Sequence, residues 1–228
     1  MLEAGCGIGA QTLTLAANSP GARITSIDIS PDSLAAARER VRAGGYTNVE
    51  FRQADIFALP FPKASFDHVF VCFVLEHLSD PAGALGRLRV LLKPGGTITV
   101  IEGDHGSTYF HPDDADARRA VACLIEVQAR LGGDSLIGRR LYPLLVEAGF
   151  AAVSVSPRMV YVDGSKPPLV DGFTRKTFTA MVEGVRGQAL AAGLMDAESW
   201  ERGIRGLYRS AADDGVFCYT FFKGVGSA

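Results

Sequence analysis

Leu2-Glu3-Ala4-Gly5-Cys6-Gly7-Ile8-Gly9-Ala10 decides how the rest of the chain is read. An apolar residue leads into an acid, and three glycines follow at alternate positions. Glycine accepts positive φ and has no Cβ, so another molecule can approach its backbone closely. With a strand ending near Glu3 and a helix opening near Ala10, the loop offers free backbone N–H groups at a helix N-terminus. That is a site for a nucleotide-like ligand at the tip of a strand.

Outward from the loop, strand and helix alternate. Leu13, Ala16 and Ala17 give residues 10–18 helical spacing, stopped by Pro20-Gly21. Residues 22–29 form a β-branched strand ending at Asp28. Ser30-Pro31-Asp32 then starts a helix with a Ser cap, Pro in the first turn and an acid beside it. That helix runs to about residue 43 and stops at Gly44-Gly45. Residues 49–54 are a strand ending at Asp55, and 67–73 read as a strand buried on both faces. A helix over 80–92 stops at Lys93-Pro94-Gly95-Gly96, and 97–102 is a further buried strand. This order calls for a parallel sheet with helices on both faces. Ligands of such sheets bind outside the carboxyl ends of the strands, so Glu3, Asp28, Asp55 and Glu102-Gly103-Asp104 are the acids to examine.

The second half is less regular. Helices are expected over 113–131, 136–148, 173–192 and 196–211, with 164–171 a loop, and strands over 153–162 and 216–223. Phe173, Phe178, Met181, Val182, Val185, Leu190 and Leu194 give 173–211 an apolar face. Such a stripe suits a pocket roof, an oligomer interface or ordinary core packing.

The 228 residues are 47% hydrophobic and 21% charged, which suits one globular domain better than two. Formal charge is −2 with the signs well mixed, which disfavours a nucleic-acid or anionic-membrane partner. Cys6, Cys72, Cys123 and Cys218 are far apart, and the four histidines lack ligand spacing, so no disulfide framework or metal site is expected. Nothing resembles a signal peptide or a membrane span. A soluble, cytoplasmic protein is expected.

The glycine loop alone is ambiguous, because Gly5-x-Gly7-x-x-Ala10 with Asp28 also satisfies a dinucleotide fingerprint. Glu3 favours a different ligand. A carboxylate two residues before the first glycine crowds a pyrophosphate but suits a ligand carrying an ammonium and a sulfonium. Asp55-Ile56 adds an acid for an adenine amino group and an apolar cover for its ring.

These features resemble the class I S-adenosylmethionine-dependent methyltransferases, in the group that includes the ubiquinone/menaquinone-biosynthesis type. The resemblance rests on Glu3 to Gly9, Asp28, Asp55-Ile56, Ser65-Phe66-Asp67-His68-Val69, Val74-Leu75-Glu76-His77-Leu78 and the Leu92-Lys93-Pro94-Gly95-Gly96 turn. It covers about residues 1–102. It implies a doubly wound, seven-stranded, mostly parallel α/β sheet of Rossmann-like type, with the last strand antiparallel and helical insertions after the fifth and sixth strands. Residues 1–104 are then the cofactor-binding half and 105–228 the substrate-side half of a single domain. S-adenosyl-L-methionine is the implied cofactor. Glu3, Gly5, Cys6 and Gly7 would hold its methionine part, Asp28 and Ile29 the ribose region, and Asp55 and Ile56 the adenine, while Phe73 to His77 line the sulfur end. His77 suits loop hydrogen bonding as well as cofactor contact. Asp67 reads as structural, accepting from loop N–H groups near Gly5. The implied activity is methyl transfer to a small, partly apolar acceptor.

Methyl transfer needs alignment and desolvation, and a base only where the nucleophile must lose a proton. His105 is the candidate base and Asp104 its orienting acid; a hydrogen-bonded loop is the plainer reading of both. Tyr109, His111 and Tyr161 are weaker substrate-pocket candidates. The rivals are a nicotinamide-dependent oxidoreductase and a non-catalytic cofactor-binding or oligomerising protein. Only residues 1–4 remain for what should be the central strand, so the natural chain is expected to extend upstream.

Overall fold

The computed structural model describes Met1–Ala228. Seven strands form one mixed, mostly parallel sheet in the order β3-β2-β1-β4-β5-β7-β6. They are β1 (Leu2–Ala4), β2 (Ile24–Asp28), β3 (Val49–Gln53), β4 (Phe66–Cys72), β5 (Leu92–His111), β6 (Ala151–Asp163) and β7 (Val216–Ser227). The helices are α1 (Ala10–Asn18), α2 (Pro31–Ala43), α3 (Pro81–Leu91), α4 (Ala115–Arg130), α5 (Leu141–Glu147), α6 (Pro167–Leu169), α7 (Ala180–Gly184), α8 (Arg186–Ala191) and α9 (Ala197–Arg209). A π-helix, Val170–Thr179, lies between α6 and α7. No helix is long and apolar enough to cross a membrane.

The chain divides into two compact units. The first comprises Met1–Glu102, Gly138–Ser156 and Phe222–Ala228. Short as it is, β1 sits centrally: Leu2 pairs in parallel with Thr25 of β2 and with Val69 of β4. All three of its residues are buried, Glu3 among them, and the Val69-Phe70-Val71 stretch of β4 beside it is buried and apolar, as a strand covered on both faces requires. The Ser30 hydroxyl caps α2 by accepting from Ser33 N–H at 3.2 Å, with Pro31 in the first turn. A Cβ on Gly9 would stand 2.9 Å from the Ala37 Cα, so glycine there lets the chain entering α1 lie against α2.

The second unit comprises Gly103–Ile137 and Pro157–Phe221. Its core joins α4, the π-helix, α7, α8, α9 and the first half of β7. Gly203 and Gly206 bring α9 close against α4: a Cβ on Gly203 would lie 2.5 Å from the Asp116 carbonyl oxygen. The apolar stripe of 173–211 packs into this unit's own core, with Phe178, Val182 and Trp200 at 1%, 0% and 1% exposure.

Several sequence expectations change. The strand expected over 97–102 runs from Leu92 to His111, so His105 is a strand residue and not a loop residue. Gly-Asp-His-Gly-Ser-Thr has poor strand propensity, but β7 neighbours β5 and the Thr220 amide donates to the Ser107 hydroxyl at 3.0 Å; pairing overrides propensity. The single helix expected over 173–192 is a π-helix followed by α7 and α8, broken at Val185 between Gly184 and Gly187. The π register sets Phe173 and Phe178, five residues apart, on one side, and both rings pack on Phe217 and Tyr219. Residues 136–148 split into a 3-10 turn, Ile137–Arg140, and α5. Part of the expected 164–171 loop is helical, as α6.

Candidate functional site

In the first unit a cavity of about 340 Å³ opens at the carboxyl ends of β1, β2, β3 and β4. Its lining includes Gly5, Gly7, Asp28, Ile29, Asp55, Ile56, Phe73 and His77, with Ala54, Val74 and Leu78 beside them. The volume falls within the usual range for small-molecule sites. A larger opening of about 1010 Å³, lined by Met1, Arg23, Asn48, Asp67 and Lys93, lies at the opposite, amino ends of the strands. Ligands of parallel sheets bind at the carboxyl ends, so the smaller cavity is the candidate site.

The glycine loop builds one wall. Gly5 has φ +80°, and a Cβ there would meet the Val74 Cγ2 at 2.3 Å. Gly7 has φ +50°, and a Cβ there would enter open space. Its amide donates to Asp28 Oδ2 at 2.8 Å, and Asp28 Oδ1 accepts from Ser30 N–H at 2.9 Å. Asp28 thus clamps the loop to the start of α2, and the remaining lone pairs of its carboxylate can accept ligand hydroxyls. Asp55 Oδ1 accepts from Phe57 N–H at 2.8 Å, an Asx turn that presents the carboxylate at the rim. Ile56 is buried and Ile29 is exposed at 66% on the cavity wall. The open side of Gly7, two carboxylates and the apolar Ile29, Ile56 and Phe73 fit a ligand with a ribose, an adenine and an amino-acid tail.

The opposite wall is held from below. Phe73 has φ +56°, a conformation that costs a non-glycine residue about 1–3 kcal/mol. Its amide donates to the Ile101 carbonyl at 2.9 Å. The next two amides, of Val74 and Leu75, donate to Glu102 Oε1 at 3.0 and 2.8 Å. Glu102 is fully buried and its Oε2 has no partner. Burial pushes its carboxyl up to about 8, against the pull of those amides. His77, in a 3-10 turn over Leu75–His77, lies 3.5 Å from Glu76 Oε1.

Two expected cofactor residues stand differently. Glu3 does not line the cavity. It is 2% exposed, and its Oε2 accepts from the hydroxyls of Thr12 at 2.7 Å and Ser26 at 2.5 Å. Burial raises its carboxyl while these two hydroxyls lower it. The Cys6 side chain is buried against Leu34 and Ala37, where burial pushes the thiol up to about 12, and its amide donates to the Ile27 carbonyl at 2.9 Å, so Cys6 does not line the cavity. Asp67 does not accept from the glycine loop; it is exposed and pairs with Lys93 Nζ at 2.7 Å.

In the second unit, His105 and Asp104 are both buried, at 4% and 2% exposure. Asp104 does not orient the imidazole. The His105 Nδ1 lies 2.7 Å from the Tyr219 hydroxyl, and its Nε2 is buried with no partner. Asp104 Oδ1 accepts from Gly106 N–H at 3.0 Å. Burial pulls the His105 ring down to about 4, with the Asp104 charge acting in the other direction. His105 also lines a cavity of about 190 Å³ with Gly106, Thr108, Phe110, Arg118 and Val121. Tyr109 and Tyr161 are exposed at 54% and 46%, and the Tyr109 hydroxyl donates to Met159 Sδ at 3.4 Å. Glu102 as a loop anchor and Tyr219 as the partner of His105 are the residues that sequence reasoning missed.

Comparison with known proteins agrees with this geometry. Residues 2–100 match the family model described as a methyltransferase domain. A 37.1 kDa protein of transposon TN4556 from Streptomyces fradiae is 35% identical over 185 residues, covering 80% of this chain and 52% of that protein. Demethylmenaquinone methyltransferase from Thermus thermophilus is 39% identical over 102 residues, covering 45% of this chain and 46% of that enzyme. The chain thus spans about half the length of these relatives. Among solved structures, the YcgJ protein from Bacillus subtilis superposes with a TM-score of 0.62 at 17% identity, covering 99% of this chain and 90% of that one; it shares the fold.

Proposed function

We propose that this chain, whose residues 2–100 match a methyltransferase domain model, is a class I S-adenosylmethionine-dependent methyltransferase that transfers a methyl group from S-adenosyl-L-methionine to a small, partly apolar acceptor. The observation that carries the reading is the 340 Å³ cavity, in which the open face of Gly7 stands with Asp28, Asp55 and Ile56. Bound there, the cofactor supplies an electrophilic methyl group on a sulfonium whose leaving group is a neutral thioether.

The chain's own residues do the rest. The Gly5–Gly7 loop, its amides tied to the Ile27 carbonyl and the Asp28 carboxylate and its base braced by the buried Glu3, gives the amino-acid tail an open wall at Gly7. Asp28 accepts from the ribose hydroxyls, and Asp55 from the adenine amino group, with Ile29 and Ile56 covering the rings. Phe73, Val74 and His77 line the wall that Glu102 anchors and keep water from the reacting end. His105 takes the proton of an acceptor hydroxyl, and the Asp104 charge favours the imidazolium that results. The aromatic surroundings of His105, with Phe178 and Tyr219 rings each 5.8 Å away, suit an acceptor with an apolar body.

Calorimetric titration with S-adenosylmethionine and S-adenosylhomocysteine tests the cofactor; a preference for a nicotinamide dinucleotide would overturn it. An acceptor screen with methyl-labelled cofactor, with demethylmenaquinone as one arm on the strength of the Thermus thermophilus relative, tests the transfer. Tight cofactor binding with no turnover across phenols, amines and carbon acids would overturn the activity while leaving the site intact.

A further inference from the structure

β4 and β5 pair in parallel until Cys72 stands opposite Ile101, and there the main chain of β4 turns away. The Phe73 amide still reaches the Ile101 carbonyl at 2.9 Å. The next two amides are taken by a side chain instead: Val74 and Leu75 both donate to Glu102 Oε1, at 3.0 and 2.8 Å. One carboxyl thus continues the ladder for two residues past the last strand pair. The same oxygen closes the start of the 3-10 turn Leu75–His77, whose own segment supplies no side-chain cap.

Phe73 stands between the strand and that turn at φ +56°, where side chains other than glycine's hydrogen are crowded. Backbone in such a state persists only where its surroundings over-determine it. The three successive amides fastened to β5, at Phe73, Val74 and Leu75, are that constraint. Phe73 and Val74 both line the 340 Å³ cavity, and Val74 Cγ2 is the atom that a Cβ on Gly5 would meet. The hold on the Val74 amide therefore also fixes the distance between this wall and the glycine loop. All of these residues belong to the first unit.

Glu102 is fully buried, and the ionisable groups that act on it or feel it are Glu76 and Cys72, neither of them a cation. Burial pushes its carboxyl up to about 8, so at neutral pH the acid is uncharged. What the two amides need is then an oxygen with free lone pairs and not a charge. A glutamine offers such an oxygen on the same stem; a leucine fills a similar space and offers none.

We propose that Glu102 is a positioning residue for cofactor binding that acts through Phe73: it takes the two amides after Phe73, holds the left-handed turn there, and so sets the cavity for an adenosyl ligand. Glu102 is not among the residues that line the cavity, and its whole effect passes through the segment it holds. That the cavity takes an adenosyl ligand rests on the function proposed above; the hold on the turn does not.

Calorimetric titration with S-adenosylhomocysteine at neutral pH compares Glu102→Gln with Glu102→Leu. The glutamine variant is expected to bind within ~3-fold of the wild type, and the leucine variant to lose at least ~10-fold, the worth of two hydrogen bonds. Phe73→Gly supplies the second arm, because glycine takes the turn without strain. In that background Glu102→Leu is expected to cost less than ~3-fold, whereas a residue that only supported the fold would cost as much in either background. Hydrogen exchange reads the hold directly and needs no leucine variant. In the wild type and in Glu102→Gln, the Val74 and Leu75 amides are expected to exchange far more slowly than that of exposed Lys63, and more slowly still with S-adenosylhomocysteine bound. Equal losses in the two Glu102 variants, an equal cost of Glu102→Leu with and without Phe73, or fast exchange of both amides in the wild type overturns the proposal. If the two amides are protected but no adenosyl ligand binds the wild type, the assigned cofactor fails and the hold of Glu102 on the turn stands.

Discussion

Glu102 and His105 lie three residues apart on β5, and the units they belong to differ in how many of their buried polar atoms find a partner. In the first unit the carboxylates are tied to the chain. Asp28 holds Gly7 and Ser30, Asp55 holds Phe57, Glu102 holds Val74 and Leu75, and Glu3 holds Thr12 and Ser26. Buried atoms without partners are Glu102 Oε2 and Arg89 Nε in the first unit, against His105 Nε2, Gln128 Oε1, Ser135 Oγ, Thr174 Oγ1 and Thr179 Oγ1 in the second. A buried polar group left unpaired costs about 1–3 kcal/mol. The first unit has its loops set before a ligand arrives. The second leaves more of its buried polar atoms unmatched. The difference teaches that the glycine-loop cavity is held by carboxylates clamped to main-chain amides, while the second unit relies on apolar and aromatic packing and tolerates more unmatched polar atoms.

The strongest way to break the contrast is Gly5→Ala. Its Cβ meets Val74 Cγ2 at 2.3 Å in a left-handed conformation, so the loop and the Phe73–Val74 wall must move apart. Affinity for S-adenosylhomocysteine is expected to fall at least ~100-fold, or ~2.7 kcal/mol, by calorimetry. A folded Gly5→Ala protein of unchanged affinity would mean that the loop is not set in advance. Asp28→Ala is next. It removes the acceptor of Gly7 N–H and a charged partner for ligand hydroxyls, interactions worth about 1.5–3 kcal/mol, so a loss of roughly ten- to hundredfold is expected, again by calorimetry.

The two units also differ in how far they could be read from the sequence. The glycine loop, Asp28, Asp55, Ile56, Phe73 and His77 all sit just past strand ends, and strand ends are marked locally by apolar runs that stop at an acid or a turn. Their convergence on one cavity follows from parallel winding alone. Cys6 misled because alternation along a loop does not fix which way a side chain turns, and α2 takes the thiol. Glu102 was visible as a strand-end acid, but its partners Val74 and Leu75 depend on the β4–β5 register and not on spacing. Tyr219 was hidden more deeply. It lies 114 residues from His105, and only the placing of β7 next to β5 brings them together. The π-helix was hidden too, because a run of apolar residues at mixed spacing looks helical whichever register the backbone takes.

A pH series sharpens the contrast more gently. The Glu102 carboxyl is raised by burial to about 8 from an ordinary 4.5. Folded protein therefore keeps a proton that unfolded chain has lost, and the stabilisation present below about 4.5 is lost as pH rises through about 8. His105 runs the other way. Burial lowers its ring to about 4 from 6.5, so its stabilisation is present above about 6.5 and is lost as pH falls through about 4. Calorimetric melts should therefore show Tm falling on both sides of a maximum, at ~2–4 °C per kcal/mol for a chain of this size. Glu102→Gln is expected to flatten the alkaline side alone and His105→Asn the acid side alone. A variant that flattened both sides would show that the two groups do not titrate separately.

The smallest effect belongs to Asp67, and its smallness is informative. Asp67 is the second residue of β4, which pairs with the β1 strand leading into the glycine loop, and a buried acid there would brace that loop. In the structure its carboxylate is exposed and meets Lys93 Nζ at 2.7 Å across the surface. Exposed ion pairs gain little, because water screens both charges and two long side chains lose freedom to meet. Asp67→Ala is therefore expected to leave both Tm and S-adenosylhomocysteine affinity unchanged within error, in melts and titrations run beside those of Asp28→Ala. The paired measurement separates two acids that a sequence places in similar settings at strand ends. Asp28 acts because its oxygens take backbone amides in a half-buried loop; Asp67 meets the solvated Lys93 ammonium and feels the Met1 amino group. A marked loss of affinity in Asp67→Ala would mean that charge on the far side of the sheet reaches the loop through β1 and β4, and the first unit would then be a coupled network and not a set of local clamps.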